Sequence, residues 1–332
     1  MNKRVLGADL LLLLTAAVWG FGFVAQRSGM FYVGPFTFNA IRFPLGSLSL
    51  LPLIAWRRRF KLDEKSGGLF FSSFLAGTCL FIAVSFQQLG IMFTTAGNAG
   101  FITGLYVIFT PIFGIFLGRS TGKATWIGAI LTFTGLYFLS SSGPLKDINK
   151  GINIGDLIIA VSAVFWAFHV LVIDRLVQKT DPIALSSGQF AFAGLYALIA
   201  AFLAEPFLSS RLLSVSSSSI FASRLVTWKS LPALISGLSR GEISFTLVSG
   251  AVIPILYGGL ASAGIGYTLQ VVAQQYAPPA HATIILCLEG FFAAVGGIML
   301  LHEPAGIRTI IGFAFMLCGM LVSQWELVRS RG

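Results

Sequence analysis

The chain has 332 residues, of which 56% are hydrophobic and only 10% charged, against roughly 25% charged in soluble domains. There is too little polar surface to cover a water-soluble fold of this length, so the composition points to lipid as the solvent. The formal net charge of +10 sits in clusters between apolar runs, not on a face shared with aromatic residues, which argues against a nucleic-acid partner.

Apolar windows of the length that crosses roughly 30 Å of hydrocarbon, about 20 residues, recur about ten times. The predicted spans are 6–26, 35–56, 68–88, 94–117, 124–141, 155–175, 182–204, 248–273, 280–301 and 306–327. The first begins like a signal peptide, with Lys3 and Arg4 before Leu10 to Leu14. Asp9 interrupts that pattern and the apolar run continues to Val24, so it is read as a membrane helix.

After the second span come Arg57, Arg58, Arg59, Lys61 and Lys65, the cluster expected of a cytoplasmic loop. The positive-inside rule then predicts a multi-pass protein of the cell inner (plasma) membrane with both termini cytoplasmic. Between the seventh and eighth spans lies a long outer connection, at about 205–246, too broken to span. Arg224, Trp228 and Lys229 in it suit an interfacial segment, and a disordered loop fits the same composition. Cys79, Cys287 and Cys318 are far apart inside apolar runs; they read as core residues, and no disulfide, metal or cofactor is expected.

The chain repeats itself. An offset of 147 residues sets Asp9 on Asp156, Ala16 on Ala163, Trp19 on Trp166, Pro35 on Pro182 and Phe43 on Phe190, without a gap. Later, Gln87-Gln88 answers Gln274-Gln275, and Thr125, Gly128 and Gly135 answer Thr309, Gly312 and Gly319. An odd number of crossings per unit forces the second copy to enter from the opposite side. The predicted fold is an all-α integral membrane protein of about ten transmembrane helices as two inverted five-helix repeats. The first repeat is taken as 1–141, a linker as 142–154 and the second repeat as 155–327.

Several stretches carry a family resemblance: Trp19-Gly20, Phe38 to Phe43, Thr95 to Tyr106, Leu269 to Gln274, Leu286 to Glu289, and His302-Glu303. In these the chain resembles the drug/metabolite transporter superfamily, in the branch with two EamA-type domains. The resemblance implies a ten-helix carrier for small solutes such as amino acids, nucleobases, sugars, polyamines or drugs. Gly290 after Glu289 and the long connection after Glu205 depart from the family pattern.

Two ionisable side chains lie deep in predicted spans, where each costs at least about 2.5–3.5 kcal/mol unless it has a partner or a wet cavity. Arg42 and Glu289 fall at depths within roughly 8 Å of each other, which suggests a pair across a central cavity. The plainer readings are an Arg42 that snorkels to the headgroups and a Glu289 that packs helices through a hydrogen bond. Glu289 also suits proton coupling, since an intramembrane carboxyl can exchange a proton for a solute.

Around these two, Tyr267, Gln270 and Gln274 share one face of the eighth helix, with Asn98 and Tyr106 on the fourth. Trp19 and Gln26 on the first, Asn39 on the second, and Trp166 and His169 on the sixth complete the candidate lining. Amides, phenols and indoles can orient a small solute while their rings accept its apolar part; interhelical hydrogen bonding is the plainer use of the same groups. His281 falls near a helix end, where solvation is expected, and Glu303 before Pro304 suits a helix terminus. Gly100 with Gly104, and Gly258, Ser262 and Gly266, form small-residue faces for close packing.

The function that follows is secondary transport of a small solute by alternating access, with protons and membrane lipid as further partners; the sequence does not set an oligomeric state. No Gly-x-x-x-x-Gly-Lys-Ser loop is present, which argues against direct ATP drive. The alternatives are an intramembrane enzyme acting on a lipid-linked group and a non-transporting sensor or chaperone subunit. The first would call for paired carboxylates or a metal cluster; the three histidines, His169, His281 and His302, fall in different helices or at different depths.

Overall fold

A computed structural model describes residues 3–59, 68–118, 121–140, 154–208, 231–239, 245–302 and 306–329. In chain order the helices are α1 (Lys3–Gly29), α2 (Pro35–Arg59), α3 (Leu69–Ile91), α4 (Ala96–Thr103), α5 (Tyr106–Phe116), α6 (Lys123–Ser140) and α7 (Ile154–Leu176). There follow α8 (Pro182–Leu203), α9 (Leu231–Ser239), α10 (Phe245–Leu256), a π-helix (Tyr257–Tyr267), α11 (Thr268–Ala273), α12 (Pro279–Leu286), α13 (Glu289–Leu301) and α14 (Ile307–Arg329). Among the described residues, eight segments are long and apolar enough to cross a membrane: α1, α2, α3, α4 with α5, α7, α8, Gly250–Ala273, and α12 with α13. The other two predicted spans correspond to α6 and α14, which pack on each other.

Three predicted spans are not the continuous α-helices that the apolar windows suggested. The fourth is interrupted at Gly104-Leu105 and the ninth at Cys287-Leu288. At each break the backbone tightens to i→i+3 bonds, from Val107 N to Gly104 O at 3.0 Å and from Gly290 N to Cys287 O at 3.0 Å. Non-helical backbone at membrane depth has to be buried in protein or line a cavity, and here the breaks cover each other: Cys287 Sγ donates to Gly104 O at 3.2 Å. The eighth span carries the 11-residue π-helix. An apolar window registers length and hydrophobicity and is blind to all three interruptions.

Helix ends are set locally. Prolines open α2, α8 and α12 at a position where the missing N–H is no loss. Asp181 caps α8, accepting from Ile183 N at 3.0 Å and Ala184 N at 2.9 Å, and pairs with Arg57 near the end of α2 at 2.8 Å. At the opposite end of the same helix pair, buried Glu205 accepts from Phe36 N and Thr37 N, both at 3.1 Å, and from the Thr37 hydroxyl. A carboxylate therefore closes each end of the antiparallel α2–α8 pair.

The packing exchanges partners as two inverted halves require. The helix α3 lies against α7 and α8, while the π-helix lies against α1 and α2; α13 packs on α1 as α4 and α5 pack on α7. The self-related pairs are α2 with α8 and α6 with α14. In the latter the contact is reciprocal: a methyl group at Gly135 would stand 2.5 Å from Gly312 O, and one at Gly319 would stand 2.6 Å from Gly128 O. Only glycine allows that approach on either side.

Two expectations are corrected. Cys287 is buried, but Cys318 faces outward from α14, so it is not a core residue. His281 is buried, not solvated, because Asp9 takes its imidazole. Of the connection at 205–246, the segments 205–208, α9 and the start of α10 are described; Arg224, Trp228, Lys229 and Glu303 lie outside the described residues, as do Lys61 and Lys65.

Candidate functional site

A residue can touch its own counterpart in the other repeat only close to the two-fold axis, so such contacts mark the centre of the molecule. Trp19 and Trp166 lie 6.1 Å apart between ring centroids, and Phe43 and Phe190 stack at 6.2 Å. Gly104 meets Cys287, and Tyr106 Oη donates to Glu289 Oε1 at 3.0 Å. Both tryptophans also pack on Tyr267, at 4.5 and 5.8 Å.

The Trp19–Trp166 and Tyr106–Glu289 pairs, with Tyr267, line a cavity of about 20 Å³, room for about one water molecule. Of the residues singled out in the sequence, Trp19, Gln26, Tyr106, Trp166, Tyr267 and Glu289 line it. They come from five spans, and each copy of the repeat contributes one tryptophan. The π-helix forms one wall. Its geometry leaves carbonyls open to side chains: Trp19 Nε1 donates to Ser262 O at 3.4 Å and Thr15 Oγ1 to Gly266 O at 3.2 Å. Gly266 belongs to this contact, since a methyl group there would stand 2.7 Å from Trp19 Nε1.

The other sequence candidates lie beside the cavity or away from it. His169 shares a hydrogen bond with Gln189 at 3.0 Å and sets its ring edge-on to Trp166 and Tyr267, forming a second layer behind them. Gln270 Nε2 donates to Gln274 Oε1 at 2.6 Å, and Gln274 Nε2 to Val170 O at 3.0 Å, so this pair ties α11 to α7. Asn39 accepts from Arg42. Asn98 lies in the first turn of α4, which Thr95 caps, and is not among the lining residues.

The expected Arg42–Glu289 pair is not formed among the described residues. Glu289 is held by its repeat counterpart Tyr106, and Arg42 turns onto its own helix, donating from Nε to Asn39 Oδ1 at 2.8 Å with Phe38 and Phe43 against its guanidinium. Depth along two helices brought these residues level, but depth says nothing of which way a side chain turns.

Two residues of the wall, Gln26 and Trp166, and three behind it, His169, Gln189 and Gln270, each carry a buried polar atom without a hydrogen-bond partner among the described residues. Such groups cost about 1–3 kcal/mol each.

Towards the face at which α1 begins, a vestibule of about 330 Å³ is lined by Thr110, Pro111, Gly114, Leu171, Pro279 and their neighbours. Beside it the hydrogen bond of 2.9 Å between His281 Nε2 and Asp9 Oδ1 joins α12 to α1. The repeat places Asn98 and Asp156 at the corresponding positions of the opposite face. There no bond joins them, and Asp156 Oδ1 is buried without a partner among the described residues.

The description "EamA-like transporter family" matches residues 6–141 and again 153–324. The chain belongs to that family. Among curated relatives, an uncharacterized transporter of Archaeoglobus fulgidus is 28% identical over 95% of this chain and 85% of its own length. A second from the same organism is 24% identical over 97% of this chain and 98% of its own, and the uncharacterized transporter YoaV of Bacillus subtilis is 20% identical over the full length of both. A solved crystal structure superposes with a TM-score of 0.67 at 15% identity, covering 98% of this chain and 99% of that one, a likeness of fold.

This EamA-like protein is therefore a multi-pass membrane transporter. The sequence reading missed Phe23, Gln87, Thr103, Val170, Ser262 and Leu286 in the cavity wall. Gln87, which donates to Thr103 Oγ1 at 3.1 Å, had a signal in its repeat match to Gln274, and Ser262 in its small-residue stripe. The apolar members had none, since phenylalanine, valine and leucine abound throughout the chain.

Proposed function

We propose that this transporter moves a small amphipathic solute by alternating access to the central cavity, with Glu289 exchanging a proton against it. The observation that supports this most is the unequal state of two symmetry-related positions: Asp9 is bonded to His281 on one face, while on the other, among the described residues, no bond joins Asp156 to Asn98 and Asp156 Oδ1 has no partner. Inverted halves that swap conformations would exchange these states, opening one face as the other closes. The aromatic walls from Trp19, Trp166 and Tyr267 suit an apolar body, and the orphaned amides around them suit polar groups.

Glu289 suits the coupling role because it is buried at a helix break, lines the cavity and, among the described residues, has the neutral Tyr106 hydroxyl as its side-chain hydrogen-bond partner. The basic cluster at Arg57, Arg58 and Arg59 supports a plasma-membrane orientation with both termini cytoplasmic. Purified protein in liposomes, screened by counterflow with amino acids, nucleobases, sugars, carboxylates and amines with and without a proton gradient, tests the reading. Saturable exchange that a proton gradient drives uphill is expected; vesicles that exchange nothing in the panel would overturn it.

A further inference from the structure

Arg42 has no obvious structural duty. It is 1% exposed, on the second span, and among the described residues no carboxylate pairs with it. Its Nε is satisfied by Asn39 Oδ1, and the rings of Phe38 and Phe43 lie 5.4 and 4.6 Å from the guanidinium carbon. Nη1 and Nη2 have no hydrogen-bond partner among the described residues, and neither has Nδ2 of Asn39. The guanidinium cannot shed its charge to escape this position. Its repeat counterpart, Gln189, is neutral, so the fold does not need a cation there.

The surroundings say what would complete it. The terminal edge of a guanidinium offers parallel N–H groups that match the two oxygens of a carboxylate. The ring contacts and the Asn39 bond fix the plane of that fork, and Asn39 Nδ2 adds a further donor beside it. The site adjoins the cavity: Phe43 lies 6.4 Å from Tyr267, which lines it. Gly258 of the π-helix brings its backbone against Arg42, where a methyl group would stand 3.2 Å from Cδ, and Ser262, one turn on, is in the cavity wall.

We infer that Arg42 and Asn39 form the anionic subsite of the solute path, binding the carboxylate of a solute whose apolar body rests among Trp19, Trp166 and Tyr267. This rests on the transport reading and narrows it to amphipathic carboxylates. Glu289, which lines the same cavity as Tyr267, then faces the same solute with the opposite charge preference.

The test uses full-length protein and matched probes: hexanoate and 3-phenylpropionate, each with and without an α-amino group, their carboxamides, the corresponding amines, and phenylphosphonate. Counterflow in liposomes and thermal shift in detergent are read for wild type, Arg42→Gln, Arg42→Lys and Asn39→Ala. Expected are exchange and a thermal shift with carboxylates and none with amides or amines, at least a tenfold loss in R42Q, and an intermediate loss in R42K and N39A. Phenylphosphonate that replaces the carboxylates with higher affinity reassigns the subsite to phosphate-type anions and overturns the carboxylate assignment. Should R42Q fail to fold, the wild-type contrast between carboxylate and amide still decides. Exchange of amines or amides equal to that of carboxylates overturns the subsite and leaves transport standing. A carboxylate-dependent shift lost in R42Q, without any counterflow, keeps the subsite and removes transport. Neither signal with any probe overturns both.

Discussion

Tyr106 and Glu289 occupy the same position in the two repeats and are joined by a hydrogen bond of 3.0 Å, each at the first residue after a helix break. Symmetry brings them together, and the difference between a phenol and a carboxylate makes their meeting chemical. Glu289→Gln keeps an acceptor for Tyr106 and removes the exchangeable proton. Solute counterflow should survive within about tenfold, the equivalent of roughly 1.4 kcal/mol, while uphill transport driven by a proton gradient disappears. Tyr106→Phe deprives Glu289 of its donor and should lower both. Proton-driven uptake in E289Q at wild-type rates would remove the coupling role.

The contact between Asp9 and His281 should act as a latch. With native cysteines replaced, Thr110→Cys places a thiol in the vestibule, where an impermeant maleimide reports opening. Asp9→Asn or His281→Ala should raise its labelling about five- to tenfold, the shift that roughly 1–1.4 kcal/mol produces. Asn98→His writes the mirror latch against Asp156 and should lower labelling of thiols reached from the opposite face. Equal labelling in all these variants would show that the contact bears no part of the gate.

Glu205 should matter to stability. It accepts both first-turn amides of α2 and the Thr37 hydroxyl. Glu205→Ala should cost about 2 kcal/mol or more, and Glu205→Gln less because an acceptor remains. Thermal unfolding in detergent checks the order.

The reciprocal glycine contact predicts matched effects. Gly135→Ala and Gly319→Ala each push a methyl into the backbone of the facing helix and should each destabilise by about 1–3 kcal/mol. Because they share one interface, the double variant should cost less than the sum. Strongly unequal single effects would argue against the reciprocal packing.

Much of this was legible in the chain. The gapless match of Asp9, Trp19 and Pro35 to Asp156, Trp166 and Pro182 points to inverted halves with a site between them, though nothing in it says that Trp19 and Trp166 touch. Tyr106 and Glu289 both read as candidate lining, but their bond leaves no trace in the sequence, because periodicity along each helix carries no information about the turn at Gly104 or Cys287. The expected pairing of Arg42 with Glu289 fails because depth along a helix does not fix which way a side chain turns. Glu205 was read as the start of a loop, since a cap supplied by an acid 168 residues away leaves no local trace.

The π-helix has the last consequence. Its counterpart in the first half is the regular helix α3. Two identical halves would make the inward- and outward-open forms mirror images of equal energy, and the resting protein would divide its time evenly between them. Under the alternating access proposed above, an 11-residue stretch wound differently in one half would lift that degeneracy. Such a carrier would have a home position written into its backbone, and a solute arriving from one face would meet a door already biased before it binds.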